Sequence, residues 1–379
     1  MFGTRVLTAV LSAACLFGVA GPVAAGPAAP APIGTLVSRG PLGAPEGLDG
    51  AVTATRIAYT SRTPAGAPIT ATGGVYVPPG PAPAGGWPLV AMGHGTSGVD
   101  RRCAPTDATD QFGNAPYLAD LVRRGFAVVL PNYQGLGGEG LHPYLDSTSE
   151  GLDVLGSVRA ARALPIRFTP DTVLYGNSQG GRATEAAAEL APTRAPELRF
   201  AGNALVSPAL RLDILAQIDQ GRMSLPQYSV MPMVVRGAQA VDPSIRTEAV
   251  LRGPILAQHD ALLSCTARTP ATLDLSSVTA DDVRPEPGTR ARLAAFFDRN
   301  QLPRQANRSV PALVVYGKSD DLVLPQWTRR GIADLCRAGV PVQVAARTGG
   351  HTDKRDIATV GDWIGDRFAG RPVAPNCAA

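Results

Sequence analysis

The most constraining stretch of this chain is Gly176-Asn177-Ser178-Gln179-Gly180, with the strand-like run Asp171–Tyr175 ahead of it and the helix-like run Arg182–Leu190 behind. A G-x-S-x-G between a strand and a helix forces a sharp turn and lifts the serine hydroxyl above the edge of a sheet. The flanking glycines keep side chains from colliding there. The hydroxyl then sits at a helix N-terminus, where the aligned peptide dipoles favour nearby negative charge. Such a turn needs a strand and a helix packed on one another, so it commits the chain to α/β architecture.

The rest of the pattern agrees. Strand-like runs are expected at Ala54–Tyr59, Ile69–Val77, Pro88–Met92, Ala127–Leu130, Thr172–Tyr175, Ala201–Val206, Ala312–Tyr316 and Val340–Ala345. Several are short and wholly apolar, as strands of a parallel sheet buried on both faces must be. Helix-like stretches fall between them at Pro116–Arg124, Thr148–Ala163, Gly180–Leu190, Pro325–Ala338 and Arg355–Phe368. The alternation predicts a doubly wound sheet with an antiparallel start. It fails over 207–308, where helical patches and prolines offer no buried strand. A structureless loop of that length is rare in a compact domain, so an inserted, mainly helical domain is expected. The organisation predicted is a leader over 1–25, an irregular lead-in over 26–48, a sheet core from 49–206 and 309–379, and the insertion over 207–308.

The leader has one basic residue, Arg5, an apolar stretch from Val6 to Val19 and a small-residue cleavage site near Ala25. Gly21-Pro22 interrupts the run before it reaches the length of a membrane span. An exported protein follows. Of the five cysteines, Cys15 falls in the leader, and Cys103, Cys265, Cys336 and Cys377 remain. An even number in an exported chain predicts two disulfides, for which three pairings exist. No C-x-x-C pair occurs and the chain has only 4 His, so no metal site is expected. The net charge is +4 and the basic residues are dispersed, which speaks against a nucleic-acid partner.

A serine nucleophile at neutral pH needs a base, usually histidine. His94 precedes the serine, His142 lies in a Gly- and Pro-rich loop, and His259 falls in the insertion. His351 alone follows the last strand-like run, where the chain order Ser…Asp…His demands it. The acid belongs on the loop after Ala312–Tyr316, which reads Gly317-Lys318-Ser319-Asp320-Asp321-Leu322-Val323. Asp320 is favoured over Asp321 by the G-x-x-D-x-x-V spacing. For the oxyanion, one donor is expected from the backbone N–H of Gln179. The second is expected from the loop Gly93-His94-Gly95-Thr96, with Thr96 preferred and Gly95 as the alternative.

With these residues assembled, the chain resembles the secretory lipases of the Candida antarctica lipase A type, in the α/β-hydrolase superfamily. The resemblance is carried by Gly93-His94-Gly95-Thr96, Cys103-Ala104-Pro105, Asn132-Tyr133-Gln134-Gly135-Leu136-Gly137, His142-Pro143-Tyr144, Ser178-Gln179-Gly180-Gly181 and Gly350-His351. It implies hydrolysis of carboxylic esters, a helical cap over the acyl pocket, no cofactor, and the pairings Cys103–Cys265 and Cys336–Cys377. It also implies a lipid or small-molecule ester as partner, with transient contact at a lipid surface. Within the cap, Met223, Leu225, Tyr228, Met231 and Met233 are expected to line the acyl pocket.

Gly135-Leu136-Gly137-Gly138-Glu139-Gly140 spells the dinucleotide fingerprint, but Leu141-His142-Pro143 opens no helix after it, so NAD binding is not expected. The same triad would also serve an acyltransferase or a serine peptidase. A binding protein that keeps the fold without the chemistry is the reading from another class.

Overall fold

A computed structural model describes residues 1–3, 31–48, 50, 52–265 and 274–377. The leader expected over 1–25, with Cys15 and the cleavage site near Ala25, lies almost wholly outside them. Residues 31–379 make one compact unit.

The unit is built on one nine-stranded sheet of order β1-β2-β3-β5-β4-β6-β7-β8-β9. The antiparallel start comprises β1 (Leu36–Pro41), β2 (Thr53–Arg62) and β3 (Pro68–Val77), which pairs antiparallel with β5 (Ala127–Pro131). From β5 onward every pairing is parallel, through β4 (Trp87–Gly93), β6 (Phe168–Asn177), β7 (Arg199–Val206), β8 (Ala312–Gly317) and β9 (Val342–Arg347). The interior strands β5 and β8 are buried at every position, as their continuous apolar runs require. Helices α1 (Ala115–Arg123), α2 (Ser147–Arg162), α3 (Gln179–Arg194), α9 (Pro325–Arg337) and α10 (Arg355–Phe368) flank the sheet.

The lead-in departs from expectation. Residues 36–41 are not irregular but form β1, paired antiparallel with β2. Most β1 side chains are exposed. The strand is an edge held through its backbone, and so it leaves no hydrophobic period to read.

Between β7 and β8 the described residues form helices and no strand. They are α4 (Ile214–Asp219), α5 (Leu225–Val241), α6 (Gly253–Ala257), α7 (His259–Leu262) and α8 (Pro287–Arg299). α6 begins at Gly253-Pro254, since proline is accepted only in the first turn of a helix. This segment shares an apolar core with Val99, Tyr144, Leu145, Val323 and Trp327, and α5 lies beside Ser178 at the C-terminal end of β6. A capping box starts α5: Gln227 N–H donates to Ser224 Oγ at 3.2 Å, and Ser224 N–H donates to Gln227 Oε1 at 3.1 Å.

Cys103 is bonded to Cys265, tying the helical segment to the loop after β4. Cys336 on α9 is bonded to Cys377, and Asn376 pairs with Val344 on the edge strand β9.

Candidate active site

The loops that carry the expected residues all leave the C-terminal ends of parallel strands, the side where open α/β sheets place their ligands. Ser178 stands alone between the end of β6 and the start of α3, with φ 53° and ψ −117°. Holding a non-glycine residue there costs on the order of 1–3 kcal/mol, which the packed β6–α3 pair supplies. Gly180 explains why no larger residue could follow: a Cβ there would collide with the Gly93 carbonyl, and one on Gly176 would collide with Gly180. That close approach of β4 to α3 sets the loop bearing Thr96 beside the serine. The first N–H groups of α3, beginning with Gln179, have no partner within the helix and point to the same place.

His351 and Asp320 meet. Asp320 Oδ2 accepts from His351 Nδ1 at 2.7 Å, while Oδ1 accepts the backbone N–H groups of Leu322 at 3.0 Å and Val323 at 2.9 Å. The acid is 3% exposed, so its orientation leaves little freedom. Asp321 is exposed, and its role is structural: its carbonyl accepts from Ser224 Oγ at 2.6 Å. Gln227 Nε2 donates to the Leu322 carbonyl at 3.1 Å, so the start of α5 is pinned to the acid loop at two points. The histidine loop is held by Arg347, which grips Asp356 with two nitrogens at 2.6 and 2.8 Å and donates to the carbonyls of Gly350 and His351. His351 Nε2 is buried without a hydrogen-bond partner and shares a cleft of about 310 Å³ with Ser178, Thr96, Asn114 and Thr352. Catalytic hydrogen bonds are often unmade until substrate binds. A larger cavity of about 930 Å³ beside Pro192, Arg308 and Arg371 contains none of these groups.

At the oxyanion position Gly95 donates its N–H to Asn114 Oδ1 at 3.1 Å, which commits the alternative donor elsewhere. Thr96 Oγ1 pairs with Tyr144 Oη at 2.8 Å. The Gln179 side chain uses both amide hydrogens, on Glu150 Oε1 at 2.7 Å and His142 Nε2 at 2.9 Å. His142 Nδ1 in turn faces the Gln134 carbonyl at 3.0 Å, so Nδ1 carries the proton and Nε2 accepts. Burial pushes His142 down to about 3 and keeps the ring neutral. Burial likewise lifts the Glu150 carboxyl to about 8, against the opposing pull of Arg182. His94, set aside on chain order, is buried and stacked on Tyr133 at 4.3 Å, with burial lowering it to about 4.

This buried set was missed by reading the sequence. Its only signals are His142-Pro143-Tyr144 and a glutamate inside the otherwise buried helix α2. The glycine run 135–140 supplies the loop that carries His142 and Tyr144 to the site, and no helix opens after it. Among the described residues no group of three His, Cys, Asp or Glu could hold a metal ion.

The family profile of secretory lipases matches residues 113–376. The chain belongs to the secretory lipase family. Among solved structures, Candida antarctica lipase A in its closed state matches with a TM-score of 0.72 and 17% identity, over 90% of this chain and 84% of that one. A ligand-bound form of the rice cell wall degrading esterase LipA from Xanthomonas oryzae matches with a TM-score of 0.68 and 23% identity, over 90% of this chain and 97% of that one. These likenesses give the α/β-hydrolase fold to a secretory lipase. A probable inactive lipase of Mycobacterium tuberculosis (strain CDC 1551 / Oshkosh) is 30% identical over 169 residues, or 41% of this chain. The match spans 37% of that relative's length.

The five residues expected to line an acyl pocket do not border either cavity at Ser178. Met231 and Met233 are 1% and 4% exposed and pack in the helical segment's apolar core with Tyr228 and Met223, and Leu225 is 55% exposed. The face of α5 turned to Ser178 carries Gln227, Val230 and Val234, residues spaced at three and four as one helix stripe requires.

Proposed function

We propose that this chain is an exported serine ester hydrolase that cleaves carboxylic esters through Ser178, His351 and Asp320. The reading rests on one observation above others: a buried aspartate orients His351 through Nδ1 at 2.7 Å, and the other imidazole nitrogen shares a cleft with a serine on a strained elbow. Ser178 Oγ attacks the ester carbonyl as His351 Nε2 takes its proton. Backbone N–H groups of Gln179 and the Thr96 loop hold the oxyanion. The tetrahedral intermediate collapses as His351 returns the proton to the alcohol oxygen, leaving an acyl group on Ser178. Water, deprotonated by the same imidazole, releases the acid. No cofactor enters these steps. Residues 1–25 act as the export leader, cleaved near Ala25.

The inactive relative favours a second reading, a hydrolase fold that has given up chemistry. A fluorophosphonate probe and a p-nitrophenyl ester panel separate the two. Labelling confined to Ser178, with turnover abolished in Ser178→Ala, supports the hydrolase. No labelling and no turnover by folded protein refutes it. Added alcohol or peptide distinguishes acyl transfer and peptide cleavage from hydrolysis.

A further inference from the structure

Ser178 lies at the junction of two cavities, and they are unequal. One is the cleft of about 310 Å³ that also holds His351, Thr96, Asn114, Tyr117 and Thr352. The other, of about 30 Å³, is walled by Leu145, Leu212, Val234, Val323 and Trp327, and reaches Gln179 but not His351. Val230 and Leu322 line both and form the partition.

Proton bookkeeping assigns the two arms of an ester. The group that protonates the departing alkoxide must lie beside the alcohol oxygen. His351 is that group, so the alcohol belongs in the larger cleft with it. The acyl chain then enters the arm that lacks the histidine. We infer that this arm accepts only short acyl groups, so the substrates are short-chain acyl esters of larger alcohols. This rests on the hydrolase reading above and narrows it.

The size argument is direct. A space of about 30 Å³ is about a tenth of the neighbouring cleft and admits only a few water-sized groups, room for a short alkyl stub and not for a long chain. Its walls do not yield easily. Val234 is fully buried, Val323 is 4% and Trp327 2% exposed, and all three belong to the apolar core of the helical segment. Displacing α5 would also break both hydrogen bonds that fasten its first turn to the acid loop, so enlarging the hole disturbs the loop bearing Asp320. The larger cleft takes in Phe112, Asn114, Tyr117 and Thr352 beside the histidine, room for an alcohol of mixed apolar and polar surface.

The test is a p-nitrophenyl ester series of acetate, butyrate, octanoate and palmitate, each kept below its aggregation limit, with Ser178 labelling by a small fluorophosphonate in parallel. The expected kcat/KM is highest at acetate or butyrate and at least about tenfold lower at octanoate, as an unaccommodated apolar chain demands. Val234→Ala removes part of the wall, and the octanoate-to-acetate ratio should rise by about tenfold or more. Octanoate or palmitate turned over as well as acetate by the unaltered enzyme overturns the inference while leaving the hydrolase reading intact, and needs no variant to fold. Failure of every ester together with failure to label overturns the hydrolase reading and this inference with it.

Discussion

Asp320→Asn isolates the contribution of the acid in a way the geometry makes quantitative. The carboxylate makes three contacts: Oδ1 accepts two backbone N–H groups at 3.0 and 2.9 Å, and Oδ2 accepts from His351 at 2.7 Å. An asparagine has one acceptor oxygen. If that oxygen stays with Leu322 and Val323, the amide NH₂ faces His351 Nδ1, which must then be the acceptor. The imidazole proton moves to Nε2, and Nε2 can no longer take the proton of Ser178. If the amide turns over, its NH₂ confronts two backbone donors in a buried site, a worse arrangement. The wrong tautomer is therefore favoured, and the imidazolium also loses its counter-charge. The comparable loss in serine proteases is about 10⁴ in kcat, or ~5 kcal/mol of barrier. Asp321→Asn changes an exposed side chain and keeps the carbonyl that holds Ser224, so kcat should stay within about twofold. Initial rates on p-nitrophenyl acetate between pH 6 and 9, with circular dichroism to verify folding, decide the matter. Retention of more than a tenth of the activity by folded Asp320→Asn, or greater damage from Asp321→Asn, would refute the reasoning.

Four further outcomes are expected. Ser178→Ala and His351→Ala should each reduce kcat by at least about 10⁴, with the double variant little worse, and strict additivity in single-turnover assays would sink the pairing. Burial lifts Glu150 from the ordinary carboxylate range to about 8, so the folded state binds its proton more tightly than the unfolded chain. Stability from this group is therefore full at low pH and declines, by on the order of a few kcal/mol, as pH rises from the unfolded value toward 8; Glu150→Gln should flatten the matching fall of Tm with pH, and an unchanged pH profile contradicts the assignment. Replacing both Cys336 and Cys377 by serine opens a bridge of sequence separation 41, for which chain entropy predicts a loss of roughly 4 kcal/mol in urea unfolding. Met231→Ala should cost about 2–5 kcal/mol of stability with no change in acyl preference, whereas a selective change in chain-length profile would return Met231 to the pocket.

What could and could not be read from the residue order follows from the range of the forces involved. The elbow was legible because its cause is local: a strand, two glycines that must not clash and a helix lie within a few residues. Chain order pointed to His351 and loop spacing to Asp320, the two side chains that meet at 2.7 Å. β1 left no trace, because an edge strand with exposed side chains is held by backbone pairing alone. The set of Gln179, Glu150 and His142 was invisible for the opposite reason. Glu150 and His142 lie 29 and 37 positions before Gln179, and a buried polar residue looks like a surface one until its partners are known. The acyl pocket failed for a subtler reason. Both sides of α5 are apolar, since Met231 and Met233 fill one core while Val230 and Val234 face the serine. Amphipathic periodicity names a buried face only when the other face is wet. A helix packed on two sides has no such signature, and turning it by one residue, about 100°, would present different side chains to the serine. The proposed chemistry of this chain is thus written in short sequence intervals, and the capacity of its proposed acyl arm in the rotational setting of a single helix. That setting is fixed here by Ser224 and Gln227, which anchor the first turn of α5 to the carbonyls of Asp321 and Leu322, so the loop that orients His351 also holds the helix that walls the proposed acyl arm.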